Sequence, residues 1–508
     1  MMIKDMERLL YRRQFVIGTR YMERSGWQRI QLDQELFLSV HPDLDVIQSN
    51  RHGFQLIVLG YMIDPYHPEW SNEEILNDIH HKCTSFDQLL VGVEHCGGRW
   101  ILIYQDEAEI KLLTDACGMR QVFYSVQPDG VWCASQASTL ASLLGAELDD
   151  NEELQTFVQS VEYRAMEQLW PGDGSIYKEI KHLTPNHFLD VRKGTITRYW
   201  PLSKLEPIGV EEAVEGAVEI LKGSLRAIAN RSRVMLPVTA GLDSRILLAA
   251  SKDVSDEVHY YIALHSGLSE NATDVKVPAA LFTALGKTFH IHPALDKVDE
   301  EFVRINRQST QLRDLPKSQI FYQHYLHAEE RINISGNYSE IAREVYYDYH
   351  PNRKVDGRFL SRNIKLGEHA YVRQCYEEWL DPIRSYEEKF GIRLLTLFEW
   401  EQLYGRWGAI HAAEQDIAIE EFSPFNNRKL LVTLLSVKHD YGTRNHLYRK
   451  MIMQMWPETL GAPINPLPLH KFLRHCGKEV LRGSLYYGYQ MLKAISGQGI
   501  RKRKEGTT

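Results

Sequence analysis

Between an apolar run, Arg233 to Val238, and a helical pattern starting near Ile246, the chain reads Val238-Thr239-Ala240-Gly241-Leu242-Asp243-Ser244-Arg245. Thr239 and Ser244 carry hydroxyls, and Gly241 lets a ligand approach the backbone. The free N–H groups that open the following helix favour phosphate oxygens. A bare Asp243 would repel phosphate, so its natural partner there is a bridging Mg²⁺. Together these residue types suit a ligand that carries phosphate. The turn is not a Walker A loop, because GxxxxGK[ST] is missing. The plainer alternative is a polar strand-to-helix turn with Asp243 as its cap.

Other chemistry-bearing residues have simpler explanations. His290-Ile291-His292 and His80-His81 lack a placed carboxylate or cysteine, so they read as surface or core histidines rather than metal ligands. Trp400, Tyr404 and Trp407 at helical spacing read as core. Tyr486, Tyr487 and Tyr489 fit a packed terminal helix, and Arg501 to Lys504 a solvated basic tail. Asn426 and Arg406 are further candidates for a substrate pocket. The six cysteines (Cys83, Cys96, Cys117, Cys133, Cys375 and Cys476) form no CxxC pair, which argues against a zinc ribbon or a dithiol relay.

The elements that must position the turn follow from periodicity. Phe54 to Gly60, Arg99 to Tyr104, Leu112-Leu113 and Val122 to Val126 are short apolar runs, and Asp129-Gly130 signals a hairpin. The first 200 residues therefore read as a β-rich layered half. From Val210 the apolar positions (Ala213, Val214, Ala217, Val218, Leu221, Leu225, Ile228) trace one helical face. A strand, the polar turn, a helix and a second strand, His259 to Leu264, make a βαβ unit, so a parallel sheet is expected. From about Leu394 the chain reads as mostly helical.

Composition bounds the function. In 508 residues, 59 Lys and Arg face 67 Asp and Glu, a formal charge of −8, which disfavours a nucleic-acid partner. The longest apolar stretch, Phe54 to Ile63, is too short to span a bilayer, and the start of the chain has no apolar signal region. A cytoplasmic protein with reduced thiols is expected, with no membrane or nucleic-acid partner and with a homodimer as an open alternative to the monomer.

Thr239 to Ser244 resembles the SGGxDS pyrophosphate loop of the asparagine synthetase family. Ser269 to Asp274, Ala279-Ala280 and Leu285-Gly286 are similar to its acidic turn and AxxxAxxLG helix, within which Pro278 should mark a kink or a late start. Ile332 to Glu340 resembles its strand and SGxGGD loop, and Glu420 to Asn426 its EARVPFLD stretch. Leu113 to Tyr124, Ile176 to Phe188 and Arg198-Tyr199-Trp200 resemble motifs of its glutaminase half. The resemblance, over roughly residues 14 to 470, implies an α/β protein of two parts. Residues 1–200 would be an Ntn-hydrolase-like layered αββα domain. Residues 201–508 would be a PP-loop (adenine nucleotide α-hydrolase-like) domain with a helical C-terminal part.

It further implies ATP and Mg²⁺. Asp243 and Glu340 would hold the metal, and Thr239, Ala240, Gly241 and Ser244 the departing pyrophosphate. Val238, Leu264, Ser335 and Gly336 would contact adenosine. Candidates for amine activation are Lys471, or Tyr338 paired with Glu399 or Glu401. The glutaminase half is expected to be inactive: the family's N-terminal Cys is replaced by Met1-Met2-Ile3, and its NG pair by Leu59-Gly60. β-Lactam synthetases and lasso-peptide-type cyclases share that loss. The implied activity is adenylation of a small-molecule or peptide carboxylate, then attack by ammonia or an amine without glutamine hydrolysis. The competing reading is a non-catalytic nucleotide-binding or scaffold protein.

Overall fold

The computed structural model describes residues 6–310, 313, 318–328, 330–344, 354–438 and 443–466. Two antiparallel six-stranded sheets come first. One runs in the order Lys181–His182, Phe123–Gln127, Gly130–Ala134, Phe15–Gly18, Phe37–Val40, Gln28–Gln31. The other runs Thr195–Arg198, His187–Asp190, Ile110–Thr114, Gly97–Gln105, Phe54–Ile63, Val46–Arg51. Alternation along the strands explains how they stack. Phe15 and Ile17 meet Ile57, Leu59, Ile101 and Ile103 in a core between the sheets. Val16, one position out of phase, packs with Leu140 and Ala141 of the helix Ala137–Leu144. Leu56 and Val58 pack with residues of the helices Asn72–Lys82 and Phe86–Gly92. Phe54–Ile63 reads as a continuous apolar run because both of its faces are buried. The expected hairpin is present, with Gln127 opposite Gly130, so Pro128 and Asp129 form the turn and Gly130 (φ 134°) opens the next strand.

The third sheet is parallel and five-stranded, in the order His290–His292, Val258–Ala263, Val234–Pro237, Ile332–Ile334, Glu420–Phe422. From Val234–Pro237 the chain builds outward to one side, then crosses to the other. The order therefore reverses between Val234–Pro237 and Ile332–Ile334, and in parallel sheets ligands bind outside the carboxyl ends of strands at such a point. Glu420–Phe422 departs from the expectation of a mostly helical end. Two glutamates disfavour a strand locally, but pairing with Ile332–Ile334 and burial override that propensity.

The helix Val210–Arg231 buries the expected face and, in addition, Ile220, Gly223, Ser224 and Ala227. The wider face arises because Gly223 lies against the Pro65 carbonyl of the first half, where a Cβ would overlap the oxygen. The helix Thr273–Leu285 starts five residues before Pro278 and runs through it, so the proline does not mark a late start. The largest core cluster joins Ile63, Cys117 and Met119 to Leu221, Ile246 and Leu430, so apolar packing is continuous across residue 200. No described helix is long and apolar enough to cross a membrane.

Candidate functional site

The turn after Val234–Pro237 is braced from within. Val238 remains tied to the sheet through its N–H to the Tyr261 carbonyl (2.9 Å). The Ser244 hydroxyl accepts from the Thr239 N–H (3.1 Å), and the Gly241 N–H donates to Thr239 Oγ1 (3.1 Å). The Ala240 N–H donates to Asp274 Oδ1 (3.1 Å), which brings the acidic turn of the second βα connection against the first. Gly241 is the N-cap of the helix Leu242–Ala250, whose first N–H groups have no partner within the helix.

Across the reversal point, Ser335 to Tyr338 leads from Ile332–Ile334 into the short helix Ser339–Arg343. Gly336 lets the two loops touch, since a Cβ there would lie 3.2 Å from Asp243 Cβ. Tyr338 takes the left-handed conformation (φ 75°), which turns the chain so that Ser339 and Glu340 face Asp243. Ser339 Oγ donates to Asp243 Oδ1 (2.5 Å), and Arg343 Nη1 reaches both Asp243 oxygens at 2.6 and 2.9 Å. Burial, then the adjacent Asp243 charge, pushes the Glu340 carboxyl up to about 7. The Tyr404 hydroxyl bonds to the same carboxyl group and partly offsets that rise. Asp243 is thus paired with a guanidinium whose charge also acts on Glu340, in a space that Gly241 and Gly336 keep clear of side chains.

Among the described residues no group of three or more His, Cys, Asp or Glu could by itself cage a metal. Two carboxylates beside a turn of free N–H groups and hydroxyls are nevertheless the donor set Mg²⁺ uses when phosphate oxygens complete its shell. The Asp243–Glu340 pair fits such an ion.

The structure brings together Thr239, Ala240, Gly241, Asp243, Ser244, Ser335, Gly336 and Glu340 at the carboxyl edge of the parallel sheet, beside its central strand. Val238 and Leu264 end neighbouring strands on that edge, but their side chains belong to core clusters, so only their backbones are available to a ligand. The Leu264 carbonyl already accepts from Gln323 Nε2 (2.8 Å).

The Tyr–Glu dyad is not formed. Tyr338 is fully buried against Gly408, and its hydroxyl has no hydrogen-bond partner. Glu401 is committed to Arg198, Asn186 and Trp379, which tie the first half to the helices. Glu399 is fully buried on the same π-helical segment, Glu399–Gly408. Lys471, like Cys476, Tyr486, Tyr487, Tyr489 and the basic tail, lies outside the described residues. The segment leading toward Lys471 does reach the turn. Arg245 Nη1 donates to the carbonyls of Thr459 (2.6 Å) and Ala462 (2.9 Å), and the Asn465 N–H donates to the Ala240 carbonyl (2.8 Å).

Sequence reasoning missed Arg343 and Tyr404. Arg343 was legible as the residue one helical turn beyond Glu340. Tyr404 was absorbed into an apolar stripe, although its phenol has a polar tip that needs a partner when buried.

No protein-family model matches the chain, and no curated protein matches it. Among solved structures it is similar to glutamine phosphoribosylpyrophosphate amidotransferase from B. subtilis complexed with ADP and GMP. That match has 12% identity and a TM-score of 0.24, over 66% of this chain and 73% of that one. A second is glutamine-dependent NAD⁺ synthetase from Acinetobacter baumannii in complex with ADP, at 13% identity and a TM-score of 0.20, over 41% of this chain and 47% of that one. A third is the allosteric regulatory enzyme of purine biosynthesis, at 10% identity and a TM-score of 0.24, over 61% of this chain and 67% of that one.

Proposed function

We propose that the chain is an asparagine synthetase-like, AMP-forming ligase that activates a carboxylate with ATP and passes the acyl group to an amine without hydrolysing glutamine. Its parts would be a glutaminase-like, Ntn-type residue range 1–200 and a PP-loop range 201–508. The observation that carries this reading is the meeting of Thr239–Ser244 with Ser335–Glu340 at the reversal point of the parallel sheet. A carboxylate is a poor acceptor for an amine until one oxygen becomes a leaving group, and AMP supplies it. Asp243 and Glu340 would hold Mg²⁺, which when bound neutralises charge on the phosphate oxygens. The helix N–H groups at Leu242, Asp243 and Ser244 would orient the departing pyrophosphate. Arg343 supplies a fixed positive charge beside it. The Tyr404 hydroxyl keeps the Glu340 carboxyl turned toward Asp243.

The first half supports the absence of glutamine hydrolysis. A side chain at Gly60 would overlap the Arg99 carbonyl and meet Arg120 Nε at 2.7 Å, so arginine fills the space beside that position. Burial pushes the thiols of Cys83, Cys117 and Cys133 up, and that of Cys375 to about 12, which leaves them poor nucleophiles.

The test is ATP–pyrophosphate exchange over a panel of carboxylic acids, with and without glutamine. Exchange with at least one acid, independent of glutamine, is expected, and Asp243→Ala should reduce it by at least about 100-fold. Glutamine-dependent turnover would overturn the reading of the first half.

One observation favours a second reading, a non-catalytic nucleotide-binding or scaffold protein: Arg343 and Ser339 already engage Asp243. Calorimetric ATP–Mg²⁺ binding without exchange for any acid would select it.

A further inference from the structure

On the reverse side of the segment that presents Tyr404, a small cavity lies between the two halves. Residues two apart on a helix do not share a face. Tyr404 turns to Glu340, whereas Arg406 turns to a space of about 50 Å³ walled by Phe123, Ile176 and Ile410. Arg406 is 3% exposed, and its one hydrogen bond runs from Nη2 to the Gly174 carbonyl (2.7 Å). Its Nε and Nη1 have no partner. The indole N–H of Trp170, 5% exposed, also lines the cavity without a partner.

Gln121 and Gln136, both more than nine-tenths buried, add two side-chain amides to the wall. Gln136 precedes the helix Ala137–Leu144 but makes no side-chain cap. The other charges on the wall cancel. Arg313 is held by Glu414 through contacts of 2.6 to 3.1 Å, so Arg406 is the charge on the wall without an ion pair, and the carboxylate that acts on it, Asp173, is half exposed and bonded to Lys181. Burial lowers the Arg406 pKa to about 10, which leaves it cationic at neutral pH. The chain is also strained at the cavity: Glu167 (φ 54°) and Gln168 (φ 57°) are consecutive non-glycine residues in the left-handed region, just before Leu169-Trp170.

The unpartnered buried donors of Arg406 and Trp170, opening on one cavity whose one wall carboxylate, Glu414, is taken up by Arg313, describe an anion site. The volume holds on the order of four water-sized positions, which suits a ligand of about four heavy atoms. One guanidinium balances one negative charge, and the apolar walls suit a short alkyl stub. We propose that this cavity binds a small monocarboxylate, with Arg406 and the Trp170 indole as its polar contacts. This site is separate from the nucleotide-side carboxylates and does not rest on the ligase reading.

The test uses the full chain with ¹⁵N-indole tryptophan, in which Trp170→Phe identifies the Trp170 signal among ten tryptophans. Sodium acetate should shift that signal saturably, with a midpoint on the order of 0.1–10 mM. Equal ionic strengths of chloride or phosphate should leave it in place. Arg406→Gln should weaken acetate roughly 10- to 100-fold. If that variant does not fold, Gln136→Leu, which removes no helix cap, takes its place and should weaken acetate several-fold. The proposal is overturned if acetate produces no saturable shift, if chloride or phosphate shifts the signal equally, or if the folded variant binds acetate as the wild type does.

Discussion

Glu340 is the most informative single residue. Its carboxyl sits at about 7, mainly through burial and next through the charge of Asp243. An unfolded chain releases that proton near pH 4.5, whereas the folded chain keeps it to about 7. Stability from this residue is therefore present at low pH and is lost as pH rises from about 4.5 to 7. Glu340→Gln removes the loss. The variant should be more stable than wild type at pH 8, by up to about 3 kcal/mol, and nearly equal to it at pH 4.5. Urea unfolding at the two pH values checks this, and an equal offset at both would contradict it. Under the proposed function the same variant loses carboxylate activation, so the site's stability and its chemistry would change in opposite directions.

At the scale of elements, two helices fix the site. Val210–Arg231 carries its glycine where the Pro65 carbonyl presses on it, so Gly223→Ala must push the helix away from the first half. The gain in helix propensity is about 1 kcal/mol, and overpacking of this kind costs about 1–3 kcal/mol or more. A net destabilisation is expected in thermal or urea unfolding, and a stabilised variant would show that the contact yields freely. Leu242–Ala250 is held at its open end by Arg245, which ties the Thr459–Ala462 strap over it. The π-helical segment Glu399–Gly408 faces two places at once, with Tyr404 toward Glu340 and Arg406 toward the cavity between the halves. π-Helical geometry is uncommon and often accompanies function, in keeping with that double use.

At the scale of the molecule, a buried ion cluster joins the two halves. Arg99 grips Asp416 at 2.5 and 2.7 Å and reaches Glu420, while Arg120 and Arg13 each hold Glu420. Burial opposes ionisation of Glu420, but Arg120, Arg13 and Arg99 together hold its carboxyl down to about 2. For Asp416 burial outweighs Arg99, and the carboxyl is raised. Arg99→Met should therefore cost about 3–5 kcal/mol at pH 8, because it leaves the buried Asp416 carboxylate without its ion-pair partner. The cost should shrink at pH 5, where Asp416 can take up a proton. Unfolding at both pH values is the measurement, and a cost that does not depend on pH would place the effect in packing instead.

Local spacing determined a good deal. The Thr239–Ser244 turn, the helix from Val210 and the apolar run Phe54–Ile63 were legible because each depends on residues a few positions apart. Covalent geometry alone brings such residues onto one face or into one turn. Tertiary structure decided the rest. Arg343 meets Asp243 across 100 residues of chain, and Glu401 reaches Arg198 across 203. The strand Glu420–Phe422 contradicts its own residue preferences, because the free energy of completing the sheet and pairing buried carboxylates with arginines exceeds local propensity. No periodicity carries that information. The sequence by itself determined which hydroxyls, glycine and carboxylate the Thr239–Ser244 turn carries, and the reversal of strand order in the parallel sheet determined that two carboxylates from distant loops face each other beside them.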